Sequence, residues 1–160
     1  MTTTIPIRIA VFGGTGFLGR AFVDTVSARG HDVVVLSRRE AAFSNATWRS
    51  CDAGARLDQG LLDGFDVVVN LIGIRGRIGT RAHRQDFETA HVNIVRNIID
   101  ACEASNVRRL VHVSVARGSE EHEDAQGNPS NYLRSKARGE DAVRHCALDW
   151  TILRPNIIWG

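Results

Sequence analysis

Lysine, tyrosine and methionine are almost absent from this chain of 160 residues: each occurs once, as Lys136, Tyr132 and Met1. Nineteen arginines carry the remaining basic charge, and the net charge is only +2. So small a balance gives no general attraction to nucleic acid or to an anionic membrane surface. There are three cysteines, Cys51, Cys102 and Cys146, with no CxxC pair. An odd, scattered set excludes a disulfide framework or a zinc knuckle and implies reduced thiols. No apolar run approaches the roughly 20 residues of a membrane-spanning helix. The segment Met1–Arg8 lacks the basic-then-apolar layout of a signal peptide. The expectation is a cytoplasmic protein, able at most to dock onto a membrane complex.

The chain has what a folded domain needs. At 43% hydrophobic and 24% charged residues, it is neither a disordered tail nor a collagen-like fibre, and its length fits one domain over 1–160. Short β-branched runs alternate with helical spacings. Strands are expected at Ile7–Phe12, Asp32–Ser37, Ala46–Cys51, Asp66–Ile72, Arg109–Val115 and Asp149–Arg154. Helices are expected at Phe17–Arg29, Leu57–Leu62, Phe87–Ala104 and Asn131–His145. That alternation predicts right-handed βαβ crossovers, hence an α/β fold: a doubly wound parallel sheet of about six strands with helices on both faces. Two charged loops read as solvated: 75–84, with Arg75, Arg77, Arg81 and Arg84, and 119–124, Ser-Glu-Glu-His-Glu-Asp.

Gly13-Gly14-Thr15-Gly16-Phe17-Leu18-Gly19 lies directly between the first strand and the first helix. Glycines there permit a tight turn, close approach of backbone to a pyrophosphate, and tight helix–strand packing. The helix N-terminus then offers free N–H groups and a positive dipole end to the anion. The second strand ends at Ser37, followed by Arg38 and Arg39. A carboxylate there would bind a ribose 2′-hydroxyl, whereas hydroxyl plus guanidinium suits a 2′-phosphate. NADP(H) is therefore favoured over NAD(H). Tyr132 and Lys136, four apart, share one helix face. An ammonium beside a phenol stabilises the phenolate and makes an otherwise weak acid–base group useful near neutral pH.

The spacing Gly13-x-x-Gly16-x-x-Gly19, with Val-Val-Asn-Leu-Ile-Gly at 68–73, resembles the short-chain dehydrogenase/reductase superfamily. So do His-Val-Asn-Ile-Val-Arg-Asn-Ile-Ile at 91–99, Leu-Val-His-Val-Ser at 110–114, Tyr132-Leu-Arg-Ser-Lys136 and Leu-Arg-Pro-Asn-Ile-Ile-Trp-Gly at 153–160. Within that superfamily the chain is similar to extended and atypical, NAD(P)-dependent epimerase/dehydratase-like members related to the nucleotide-binding accessory subunit of respiratory complex I. The resemblance implies a Rossmann-type domain in which Leu71, Ile72 and Gly73 lie against the adenine ribose and Asp52 contacts the adenine. It implies that Lys136 holds the nicotinamide ribose, that Tyr132 transfers the proton and that Pro155 lies beside the nicotinamide. Ser114 is the candidate to polarise a carbonyl; two residues further, where many relatives carry the hydroxyl, stands Ala116, and Ser119 lies in the acidic loop. Asn93 matches an asparagine that positions active-site backbone or a water. Helices 87–104 and 131–145 pair between subunits in some relatives, which makes a homodimer an option.

In extended relatives a substrate-binding part follows the sixth strand, and none is expected within these 160 residues. Two classes of function stay open. One is an oxidoreductase or epimerase acting on an unidentified small molecule through Tyr132, Lys136 and Ser114. The other is a non-catalytic NADP(H)-binding module of a larger assembly.

Overall fold

The structure, a computed structural model, describes residues 5–74, 84–116, 130–156 and 158–159. Six parallel strands form one sheet: β1 Arg8–Phe12, β2 Asp32–Ser37, β3 Thr47–Ser50, β4 Val67–Asn70, β5 Arg109–Val113 and β6 Asp149–Leu153. Their order is β3-β2-β1-β4-β5-β6. The central strands are short apolar runs, rich in valine and buried on both faces, the composition a covered parallel sheet requires. From β1 the chain winds outward to β3, then returns to place β4 on the other side of β1. The loops leaving β1 and β4 therefore diverge, opening a crevice at the carboxyl ends of the strands.

Helix α1, Phe17–Ser27, covers one face with Val23, packing on Ile9, Val11, Val33, Val35 and Val69. The other face packs against α3, Ile94–Ala104, and α4, Asn131–His145, through Val95, Ile98, Cys102 and Val143. Ser130 caps α4 by accepting the Leu133 N–H at 3.3 Å. The strands and α4 match the expected positions within two residues at each end.

Two expected elements differ. Leu57–Leu62 forms turns and no helix. Gly60 and Gly64 both adopt positive φ, +78° and +75°, which breaks a helical path. Leu62 and Phe65 still reach the core, so the apolar pattern marked burial and not helicity. The helix expected at 87–104 begins earlier and is interrupted: α2, Arg84–Glu88, runs into a π turn over Thr89–Asn93 before α3. There the Ile94 N–H donates to the carbonyl of Thr89, five residues back.

Candidate functional site

The glycine turn is sterically determined. A Cβ on Gly13, which has φ +79°, would stand 2.8 Å from the Ile72 nitrogen. One on Gly19 would stand 2.2 Å from the Gly13 oxygen. Gly13 thus lets the β1 loop touch the end of β4, and Gly19 lets α1 sit on the turn itself. Gly16 is the N-cap of α1, and no side chain caps that helix start. Among the described residues no side chain accepts from the first-turn N–H groups, including those of Phe17 and Leu18, and they suit an anion.

A cavity of about 410 Å³ opens beside this turn. The expected residues Gly13, Thr15, Ser37, Arg38, Arg39, Asp52 and Ile72 line it together. Sequence reading missed Ala53, Gly54 and Thr89 on its wall. Asp52 accepts the Gly54 N–H at 2.9 Å, shaping the turn after β3. Asn97 of α3 ties that turn down through the carbonyls of Ala53 and Ala55 at 2.9 and 3.0 Å. Cys51, also on the wall, has its thiol pushed up to about 11, by burial first and by Asp52 second, so it stays protonated.

Leu71, before Ile72, packs against the cluster of Ile9, Val11 and Val69, whereas Gly73, after it, leads to a second cluster. Every buried polar or charged side chain among the described residues belongs to it: Asn70, His91, His112, Ser114, Ser135, Lys136 and Glu140. One stripe of α4, through Ser135, Lys136, Gly139, Glu140 and Val143, faces inward. Lys136 Nζ donates to the Val113 carbonyl at 2.9 Å and lies 3.8 Å from where a Cβ on Gly73 would be. Burial draws its pKa down to about 8, and the Glu140 carboxylate opposes that shift. Glu140 is fully enclosed and accepts two bonds from Arg154, both 2.8 Å, and one from Arg144 at 2.6 Å. Tyr132 is half-buried, with its ring edge-on to those of Phe87 and His91.

His91 was not anticipated. Its Nε2 accepts the Ile74 N–H at 3.1 Å, so its proton sits on Nδ1 and is donated to Ser135 Oγ at 2.8 Å. Ser135 Oγ in turn donates to the Tyr132 carbonyl at 2.8 Å. Burial, then the Lys136 charge, brings the His91 pKa down to about 3, so the ring is neutral. Asn93, expected to position active-site backbone or a water, is exposed at the end of the π turn. His91, two residues earlier, is the one that bonds the backbone after β4. A histidine between the apolar Ala90 and Val92 was the available signal.

The remaining expected residues are placed less directly. Ser114 Oγ is buried and without a hydrogen-bond partner among the described residues, and Ser114 is not on the cavity wall. Pro155 extends the β5–β6 pairing, its carbonyl accepting the Ala116 N–H at 3.0 Å. Ser37 lines the cavity, but its hydroxyl is engaged: it donates to the Arg39 carbonyl at 2.8 Å and accepts the Trp48 indole N–H at 2.9 Å. In this arrangement its one proton goes to the Arg39 carbonyl. Arg75, Arg77, Arg81 and Ser119 lie outside the described residues. Among the described residues no helix is long and apolar enough to cross a membrane, and no cluster of side chains suits a metal ion.

A parallel sheet with its crevice between β1 and β4, a glycine turn at an uncapped helix start, and a buried lysine one helical turn after a tyrosine define a Rossmann-type nucleotide-binding domain. Its fold is that of the short-chain dehydrogenase/reductase superfamily. The chain belongs to the NAD(P)H-binding family, whose model matches residues 13–158. It is 32% identical to the mouse (Mus musculus) protein "NADH dehydrogenase [ubiquinone] 1 alpha subcomplex subunit 9, mitochondrial", with 94% of this chain and 40% of that protein covered. It is 26% identical to a 2-alkyl-3-oxoalkanoate reductase of Stenotrophomonas maltophilia, covering 96% of this chain and 52% of that one. Among solved structures, MoeE5 in complex with UDP-glucuronic acid and NAD superposes with a TM-score of 0.77 at 20% identity, over 92% of this chain and 54% of that one. The chain spans about half the length of these relatives.

Proposed function

We propose that the chain binds NADP(H) in preference to NAD(H) and uses Tyr132 and Lys136 as the acid–base pair of an oxidoreductase or epimerase. The residues fit such a dinucleotide on three structural grounds. The turn excludes side chains at Gly13 and Gly19, the start of α1 is uncapped, and the cavity beside it carries Arg38 and Arg39. The two guanidinium groups suit a 2′-phosphate, and no carboxylate stands at the end of β2 to repel it.

The observation that carries the catalytic reading is the placement of Lys136. A lysine is seldom enclosed unless it is paired or used. This one, the only lysine in the chain, is 5% exposed and lies beside Gly73, just past the carboxyl end of β4. One ammonium proton is spent on Val113, leaving two for ribose hydroxyls. The positive charge favours the phenolate form of Tyr132, which then takes or gives a proton at the substrate oxygen. A bound nicotinamide supplies the two-electron redox chemistry. His91 and Ser135 hold the Tyr132 backbone, and Glu140 keeps a countercharge one turn from the lysine.

The buried Ser114 hydroxyl favours a second reading, a nucleotide-binding module of a larger complex with no turnover of its own. The likeness to a subunit of a mitochondrial NADH dehydrogenase supports it, with docking at the periphery of a membrane assembly. NADPH binding by calorimetry, followed by NADPH oxidation with a panel of carbonyl substrates, separates the two. The enzyme reading expects turnover that falls by about 100-fold or more in Tyr132→Phe. It also expects Lys136→Arg to fail in rescue, since a planar fork does not replace a point charge. Binding without turnover in the unaltered protein leaves the module.

A further inference from the structure

Ser37 has one hydroxyl proton and two lone pairs. The proton is donated to the Arg39 carbonyl at 2.8 Å, and one lone pair accepts the Trp48 Nε1–H at 2.9 Å. Only an acceptor site is left on this cavity-lining residue. A ribose 2′-hydroxyl can donate to it, but a phosphate oxygen, itself an acceptor, gains nothing there. Attraction for a 2′-phosphate must then come from the two exposed arginines that follow. Long exposed guanidinium side chains lose rotamer freedom when they bind, so their affinity depends on how well the backbone beneath them is already placed.

That backbone is tied from the side of β3. Val35 of β2 pairs with Trp48, and Ser37 pairs with Ser50. Trp48 and Ser37 are therefore diagonal neighbours on one face of the sheet. The indole body packs on the cluster of Ile9, Val11, Val33, Val35 and Val69. Its N–H is thus fixed by the core while it points at the Ser37 hydroxyl. The chain of contacts runs from the core through Trp48 and Ser37 to the carbonyl of Arg39.

We infer that Trp48 is a specificity-determining positioning residue: its indole N–H, through Ser37, presets the Arg38–Arg39 segment for a 2′-phosphate. The inference rests on the NADP(H) reading above and deepens it. Calorimetric dissociation constants for NADPH and for NADH are measured on the wild type, Trp48→Phe and Arg38→Ala. The Phe variant keeps an aromatic ring on the cluster and removes the donor together with part of the indole body. Loss of one such hydrogen bond is expected to weaken NADPH about three- to tenfold while NADH stays within about twofold. A merely structural contribution of Trp48 weakens both nucleotides in the same proportion, and that result overturns the inference. So does an unchanged NADPH-to-NADH ratio in Trp48→Phe while Arg38→Ala abolishes the preference. A wild type that binds both nucleotides equally overturns the NADP(H) reading itself, and the inference with it. If circular dichroism shows Trp48→Phe to be unfolded, Trp48→Leu takes its place with the same expected shift in ratio.

Discussion

Glu140 is a carboxylate with 1% of its surface exposed, gripped by Arg154 on one side and Arg144 on the other. It stands one turn after Lys136 on α4 and is the charge that keeps the buried ammonium from losing its proton more readily. Removing one partner of a buried pair is far more disruptive than the pair is stabilising, because the others are left uncompensated. Here the arginine side chains are about one-third exposed, 32% and 38%, and water relieves part of that penalty. Glu140→Ala is expected to destabilise by roughly 2–4 kcal/mol, read as a lowered urea midpoint. The same variant should move the Lys136 pKa further below about 8, because burial then acts unopposed. Following the Lys136 side chain by NMR titration checks the direction; a shift upward contradicts the assigned pairing.

Helix α4 shows how an element can be read correctly and still conceal its purpose. Its bounds follow from the Ser130 cap and the spacing of its residues, but its inward stripe carries Ser135, Lys136 and Glu140 where an ordinary amphipathic helix has aliphatic side chains. Gly139, in the middle of that stripe, is a poor helix former by about 1 kcal/mol relative to alanine. It is required because a Cβ there would come within 2.1 Å of the His91 carbonyl oxygen. That carbonyl belongs to the π turn, whose backbone is held against α4 and cannot retreat as a flexible side chain would. Gly139→Ala therefore sets a propensity gain of about 1 kcal/mol against an overpacking loss of up to about 3 kcal/mol, and a net loss is expected. Thermal unfolding decides the sign. A more stable variant would mean that the two helices separate without penalty. Neither the π turn nor its contact with Gly139 was visible in the sequence. A five-residue bond pattern has no signature of its own, and Gly139 acquires its meaning only from a carbonyl 48 positions earlier.

For the whole molecule, acid is the condition that challenges the polar interior. His91 and His112 are both buried, and burial lowers each pKa to about 3, with Lys136 contributing second in each case. An unfolded chain binds protons on these rings below about pH 6.5, whereas the folded chain does not until about pH 3. The unfolded state thus holds more protons across that window, so stability falls as pH falls through it. Each ring contributes up to about 1.4 kcal/mol per pH unit below 6.5. Urea midpoints measured from pH 7 to pH 5 should decline, and His112→Leu should flatten the decline. His112 suits this test because Asn70 Nδ2 donates to its Nδ1 at 3.2 Å while its Nε2 has no partner among the described residues. An unaltered slope in that variant would assign acid sensitivity to other groups.

The amino-acid order by itself determined the alternation of strands and helices, the parallel sheet, the glycine turn and the four-residue spacing of the single tyrosine and the single lysine on one helix. These are local properties: β-branched runs, a helical period, and residue types at fixed short spacing. Only the tertiary structure decided which polar groups meet. His91 reaches Ile74 and Ser135, Trp48 reaches Ser37, and Arg154 reaches Glu140, over separations of 17, 44, 11 and 14 positions. Such contacts depend on where the sheet and its helices bring distant segments together. For the same reason the Ser37 hydroxyl links Trp48 to the Arg39 carbonyl, a tether that depends on where the fold places donor and acceptor.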